Sequence, residues 1–279
     1  MKILVVGKGH MGKILEKELP NTVLYPQRIQ QMEQKDLEGY NVVINTAAKT
    51  DLPWCESNAR EAFEHNVECA FKLGRFCCDV GLPLIQFSSG CIWKGPYTHL
   101  KRPFRPTSPA DPACFYSWTK VAAEGILLRE FVDGLHILRP RQVYSDEPSP
   151  RNTLWKLNSY PKLLDTPNSM TSSATIQKCI SRIIEDEDTL YSNRVWNLYD
   201  LGITSPFKVG MMLFKRGLRK KPKKLEKKDL DTWHKPQRVD VVMEDYRMER
   251  VVDPPNVNDE LERMIDLFAK NLKKKGKTA

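Results

Sequence analysis

No apolar run in this chain of 279 residues approaches the ~20 residues that a membrane-crossing helix needs, so no membrane span is expected. The seven cysteines are odd in number, two of them adjacent (Cys77, Cys78), and none shows the paired spacing of a metal site. Reduced thiols are expected, with neither a disulfide framework nor a bound metal. No internal repeat is present, and the only low-complexity stretches are rich in lysine. With a first strand expected from residue 2, no signal peptide is expected and the cytoplasm is the expected compartment.

The net charge is +9, from 44 Lys and Arg against 35 Asp and Glu. Its excess is gathered in Lys215 to Lys228 and in Lys270 to Lys277. The first block lacks interleaved aromatics and reads as a solvated face or loop, the second as a frayed terminus, so no nucleic-acid partner is expected. A positive field can still attract a doubly charged sugar nucleotide.

What is present begins at the N-terminus. Lys2 to Val6 reads as a buried strand, followed by Gly7-Lys8-Gly9-His10-Met11-Gly12 and a helix over Lys13 to Leu19 closed by Pro20. Gly7 permits a tight turn, Gly9 lets backbone approach a pyrophosphate, and Gly12 allows close helix packing. Free N–H groups at His10 and Met11 then face the anion. Sites that prefer NAD place an acidic residue after the second strand. Here Thr22 to Tyr25 is followed by Pro26, Gln27 and Arg28. Arg28 offers a guanidinium to a 2′-phosphate, or is a solvated surface charge; NADPH is the expected cofactor, with NADH as the alternative.

Apolar runs recur at Asn41 to Asn45, Leu84 to Ser88, Leu135 to Leu138 and Arg194 to Leu198, separated by longer helical patterns over Ala59 to Val80 and Cys114 to Phe131. The alternation predicts an α/β fold, a Rossmann-type doubly wound parallel sheet with a smaller, partly interleaved C-terminal lobe for substrate. Residues 1–145 are expected to form the nucleotide-binding domain, with a returning segment near 174–200, and 146–173 with 201–279 the substrate lobe. Beyond Pro140, helices are expected at Thr153 to Ser159, Ala174 to Glu185, Pro206 to Leu218 and Asn258 to Lys273. Ala47, Ala48 and Lys49, after the third strand, then fall at the carboxyl edge where ligands bind such sheets.

Ser88-Ser89-Gly90-Cys91-Ile92-Trp93 and Phe115-Tyr116-Ser117-Trp118-Thr119-Lys120 supply a hydroxyl, a thiol, a phenol and an amine in one stretch. Four apart on a helix, Tyr116 and Lys120 share a face. An ammonium beside a phenol lowers its pKa, which would turn Tyr116 into a usable acid.

These residues, with Trp54-Cys55-Glu56-Ser57, Leu138-Arg139, Arg141, Pro150-Arg151-Asn152 and Pro167-Asn168-Ser169-Met170-Thr171, resemble the extended short-chain dehydrogenase/reductases. Within them the chain is similar to the bifunctional UDP-4-keto-6-deoxyglucose 3,5-epimerase/4-reductases of UDP-rhamnose synthesis and to dTDP-4-dehydrorhamnose reductases. Its glycine loop is one residue shorter than the family's. The resemblance implies that Tyr116 is the catalytic acid, that Lys120 binds the nicotinamide ribose, and that Ser89 shares the ketone oxygen. It also implies that Cys91 and Lys156 are the acid/base pair for epimerisation. From the residues alone, Cys91 reads as a small buried hydrophobe, a reading that its position two after Ser89 and the family match reverse, and Lys156 reads as a surface lysine with Lys162 as a neighbouring rival. Asn152 and Asn168 either hold the substrate or cap turns; Trp93 either borders the sugar or fills the core. Related 4,6-dehydratases carry an Asp-Glu pair where this chain has Gly90-Cys91. A nucleotide-sugar substrate is therefore expected together with an upstream dehydratase on another polypeptide, and a homodimer is left open. A reductase without epimerase activity and a non-catalytic NADP-binding subunit are the rival readings.

Overall fold

The computed structural model describes residues 1–95, 102–225 and 240–276. Its first strand, β1 (Ile3–Val6), is wholly buried, and α1 (His10–Glu18) follows the glycine turn. Then come β2 (Thr22–Leu24), β3 (Val42–Asn45), α2 (Leu52–Ser57), α3 (Ala59–Phe63), α4 (Cys69–Asp79), β4 (Leu84–Phe87), α5 (Phe115–Glu130) and β5 (Leu135–Pro140). After these lie α6 (Thr153–Ser159), β6 (Lys162–Leu164), α7 (Ser173–Glu185), α8 (Glu187–Leu190) and β7 (Arg194–Leu198). The last elements are α9 (Pro206–Lys215), β8 (Lys223–Leu225), α10 (Tyr246–Val252) and α11 (Val257–Gly276).

Six strands form a parallel sheet in the order β2-β1-β3-β4-β5-β7. Val42 to Ile44, Leu84, Ile85 and Leu135 are fully buried, as strands covered on both faces must be. One apolar layer packs α1, α7 and α10 residues such as Leu15, Ile176, Ile180 and Met248 on one face. The other packs Ala70, Leu73, Leu127 and Phe131 of α4 and α5 on the opposite face. The chain reverses direction across the sheet between β1 and β3, which opens a crevice at their carboxyl ends.

Gly7 turns the chain at φ +112, in the region closed to most side chains. A Cβ at Gly12 would lie 1.9 Å from the Gly7 carbonyl oxygen, so only glycine lets α1 start this close to β1.

The lobe beyond the sheet has its own core, in which Leu154 and Leu157 meet Val209, Leu213, Leu261, Ile265 and Phe268. The basic run from Lys215, read as a solvated face or loop, keeps its described lysines exposed, as a solvated face does, and contains the short strand β8, which pairs in parallel with β6; the rest of that run, to Lys228, lies outside the described residues. The lysine-rich tail is not frayed up to Gly276, because α11 is anchored by its apolar face while Lys273 to Lys275 occupy its last turn, where cations suit the helix dipole. Lys275 Nζ also donates to the Pro148 carbonyl at 2.9 Å; Lys277 lies outside the described residues. No helix among the described residues is long and apolar enough to cross a membrane.

Candidate active site

The loop after β3 closes over the glycine turn. Thr46 Oγ1 donates to the carbonyls of Val6 and Gly7, each at 3.1 Å, and Asn45 Oδ1 accepts from the Ala47 amide at 3.0 Å. A Cβ on Gly7 would lie 2.6 Å from the Ala47 nitrogen, so Ala47 and its neighbours Ala48 and Lys49 are set against the turn. Lys49 is pinned by Asn66, whose Oδ1 accepts its amide at 2.7 Å and whose Nδ2 donates to its carbonyl at 3.0 Å. Asn66 Nδ2 also donates to Thr119 on α5 at 3.0 Å. This residue was invisible to periodicity: the helix expected over Ala59 to Val80 is broken by a π-helical turn at Glu64–Glu68, which swings Asn66 inward.

The groove has the features a dinucleotide requires. Gly9 precedes α1 with no side-chain cap, and a Cβ there would meet nothing within 4 Å, leaving the first-turn N–H groups open to a phosphate. Arg28 is exposed just past β2. Two buried oxygens at the ends of adjacent strands, Ser88 Oγ and Gln142 Oε1, have no hydrogen-bond partner among the described residues. Buried orphans at a sheet's carboxyl edge fit polar groups of a missing ligand.

Tyr116 stands on the first turn of α5, whose start is capped from α2 by Glu56 Oε1 accepting the Phe115 amide at 2.7 Å. One turn on, Lys120 is 3% exposed. Its Nζ lies 6.0 Å from the Tyr116 ring centroid and donates to the Phe87 carbonyl at 3.0 Å. Ser89 begins the short turn Gly90–Ile92, accepts the Cys91 amide at 3.1 Å and hydrogen-bonds Tyr116. Cys91 packs with Tyr116, Cys55 and Cys114 in one small cluster. Ser89, Cys91, Tyr116 and Lys120 are thus brought together.

The charge states differ from those the spacing suggests. Burial pushes the Tyr116 phenol up, aided by the neighbouring Cys91, and outweighs the Ser89 hydrogen bond that favours the anion. The expectation that Lys120 acidifies it is not met in the free protein, because burial of the phenol dominates; the same burial pulls Lys120 itself down to about 8. Tyr116 therefore holds its proton through the neutral range, ready to give to an oxygen. If the charged lysine is required, kcat/KM for reduction should fall as pH rises above about 8, where the buried ammonium is lost. An activity profile flat to pH ~10, the ordinary lysine range, would contradict that requirement.

The other expected site residues fall elsewhere. Lys156 is exposed on α6, within electrostatic reach of His10 in the glycine loop. His10 is held by Ser145 Oγ at 3.2 Å, and burial with the Lys156 charge brings its pKa to about 4. Lys162 belongs to β6. Asn152 is fully buried: it caps α6 through Leu154 N at 3.0 Å and donates to the carbonyls of Ser145 and Glu147, both at 2.7 Å. Its polar atoms are used, so it is a bracket for the 145–152 loop and not a substrate ligand. Asn168, 1% exposed, likewise accepts from Arg141 and donates to the Thr166 carbonyl. Trp93 is fully buried, stacked on Phe104 at 5.1 Å and beneath Arg139, so it is core and not pocket wall. Arg139 is itself locked to Glu124 in a buried pair at 2.5 Å behind the catalytic helix.

The model of the RmlD substrate binding domain family matches residues 1–269. The chain belongs to that family. Over 194 residues, 61% of this chain, it is 33% identical to a trifunctional UDP-glucose 4,6-dehydratase/UDP-4-keto-6-deoxy-D-glucose 3,5-epimerase/UDP-4-keto-L-rhamnose-reductase of Arabidopsis thaliana, covering 28% of that protein. It is 32% identical over 188 residues to a bifunctional dTDP-4-dehydrorhamnose 3,5-epimerase/reductase of the same plant, 60% of this chain and 61% of the relative. The chain thus spans 28% of the first of these relatives and 61% of the second, and the likeness to them leaves about two fifths of it unmatched. The fold is shared with a UDP-rhamnose synthase of Acanthamoeba polyphaga mimivirus, at TM-score 0.83 and 18% identity over 96% of this chain and 99% of that one. It is also shared with a Bacillus anthracis dTDP-4-dehydrorhamnose reductase in complex with NADP, at TM-score 0.78 and 18% identity over 95% and 98% of the two chains. The family named from the sequence is therefore the right one. One partner expectation needs correction: in the trifunctional plant relative the dehydratase lies in the same chain and not on a separate polypeptide.

Proposed function

We propose that this RmlD-family chain reduces the 4-keto group of a nucleotide 6-deoxyhexose with NADPH, and that the same pocket first epimerises the sugar, so that UDP-4-keto-6-deoxy-D-glucose becomes UDP-L-rhamnose. The observation that carries the reading is the packing of Ser89, Cys91 and Tyr116 against one another, with Lys120 one helical turn away. The relatives are named for the same two chemistries.

NADPH, held by the glycine turn, α1, Arg28 and the 47–49 loop, would supply the hydride to C4. Tyr116 gives its proton to the C4 oxygen as that oxygen gains charge, and Ser89 donates to the same atom. Lys120, its ammonium fixed by the Phe87 carbonyl, lends positive charge to Tyr116 as the phenol gives up its proton. Before reduction, the hydrogens on C3 and C5 both flank the ketone. Removing either breaks a C–H bond, sends the proton to the base, and moves the electron pair to the C4 oxygen, where Ser89 and Tyr116 stabilise the enolate. Returning a proton to the opposite face inverts the carbon. Cys91 is the group placed for one of these transfers. Epimerisation must come first, because reduction removes the carbonyl that acidifies those hydrogens.

Lys156 is the weaker partner in this scheme. Its exposure on α6 favours a second reading, a reductase alone that receives a sugar already epimerised. Gly90 bears on the substrate as well: a side chain there would meet Met243 Sδ at 2.6 Å, so an acidic residue at this position would require Met243 to move. Incubation with NADPH and UDP-4-keto-6-deoxy-D-glucose should yield UDP-L-rhamnose by NMR. NADPH oxidation only with the 3,5-epimerised ketone would establish the second reading, and no oxidation with either sugar would defeat both.

A further inference from the structure

We infer that Arg141 is a positioning residue for proton exchange at Cys91, an inference that rests on the epimerase reading above. Arg141 follows β5 directly and is 4% exposed. Its Nη1 donates to Cys91 Sγ at 2.7 Å and its Nη2 to Asn168 Oδ1 at 2.8 Å. The planar guanidinium fixes the direction of both bonds, so the sulfur is aimed by a group that is itself aimed. Each anchor is held in turn. Asn168 Nδ2 donates to the Thr166 carbonyl at 3.2 Å, and the Arg141 amide donates to Thr171 Oγ1 at 2.8 Å, which donates to the Leu198 carbonyl at 2.6 Å. The sulfur is thereby tied to the segment 166–171 of the substrate lobe.

Gly90 is part of the same device. A Cβ there would lie 3.3 Å from Arg141 Cβ and 3.4 Å from its Cδ, so the arginine runs past the turn in close contact with Gly90, and a side chain there would press on it. A buried guanidinium costs several kcal/mol to desolvate, and an apolar side chain would fill the space without that cost. The cation is matched instead to a sulfur that is anionic for part of each exchange, since a charge-assisted hydrogen bond strengthens when its acceptor is ionised. The role assigned to Arg141 is to act through Cys91.

The test uses the full chain with Arg141→Met and Arg141→Lys. One readout is the alkylation rate of Cys91 by iodoacetamide at neutral pH, followed by peptide mass with Cys114 as internal reference. The other is deuterium uptake from heavy water at C3 and C5 of UDP-4-keto-6-deoxy-D-glucose without NADPH. Arg141→Met should slow alkylation at Cys91 relative to Cys114 by about tenfold, the worth of one hydrogen bond to a charged group, and slow exchange at least as much. Arg141→Lys, which restores a cation without the fork, should recover part of both, an outcome that mere loss of packing would not produce. Wild-type rates of alkylation and exchange in Arg141→Met would overturn the inference while leaving the epimerase reading intact. Absence of exchange in the wild type would overturn the epimerase reading and this role with it.

Discussion

Replacing Tyr116 with phenylalanine is expected to lower kcat for reduction of the 4-keto sugar by about 100- to 10 000-fold, the span of general acid catalysis. The substitution is a clean probe here. The ring is 7% exposed and packs with Cys55 and Ala62, contacts that phenylalanine keeps, so only the hydroxyl and its bond to Ser89 disappear. One such bond is worth about 1 kcal/mol of stability, too little to unfold a domain of this size. Thermal melting should therefore shift by a few degrees at most, and NADPH binding, followed by fluorescence, should stay within a few fold. Retention of more than a tenth of the wild-type kcat would remove Tyr116 from the role of proton donor. Loss of NADPH binding in parallel would mean that the residue shapes the groove instead.

Cys91→Ala is expected to reduce solvent exchange at C3 or C5 of the keto sugar by more than about 100-fold, as loss of a general acid or base does. Reduction of the already epimerised ketone should suffer at least tenfold less. The geometry explains why the two activities separate. Ser89 accepts from the Cys91 backbone amide, which alanine retains, so the hydroxyl that serves the C4 oxygen keeps its place. Only the sulfur and its bond from Arg141 are lost. Equal losses in exchange and reduction would show that Cys91 supports the pocket without moving a proton, and undiminished exchange would exclude it from the chemistry.

The sheet was legible because its central strands are buried on both faces and read as apolar runs, as Ile3–Val6 and Val42 to Ile44 do. Tyr116 and Lys120 were legible because a helix places residues four apart on one face. What could not be read depends on contacts remote in sequence. Arg141 reaches Cys91 across 50 positions, and Asn66 reaches Thr119 across 53. The π-helical turn at Glu64–Glu68 shifts the face that the following helix buries, so that Asn66 is buried while Phe71 is exposed. β6 and β8 are short and lysine-rich, and they form a sheet only because the two segments find each other. The state of Tyr116 was misjudged for a related reason: spacing shows that an ammonium is near, but not that both groups are buried, and burial wins. Asn152, Asn168 and Trp93 have the chemistry of ligands, yet the fold spends their polar atoms and surface on itself.

The most direct test of a single pocket that first exchanges protons and then reduces is to incubate the wild-type protein with UDP-4-keto-6-deoxy-D-glucose in heavy water, then add NADPH and locate deuterium in the product by NMR. The account predicts label at C3 and C5 before NADPH is added, and UDP-L-rhamnose carrying that label afterwards. An unlabelled keto sugar that NADPH nevertheless reduces would contradict it.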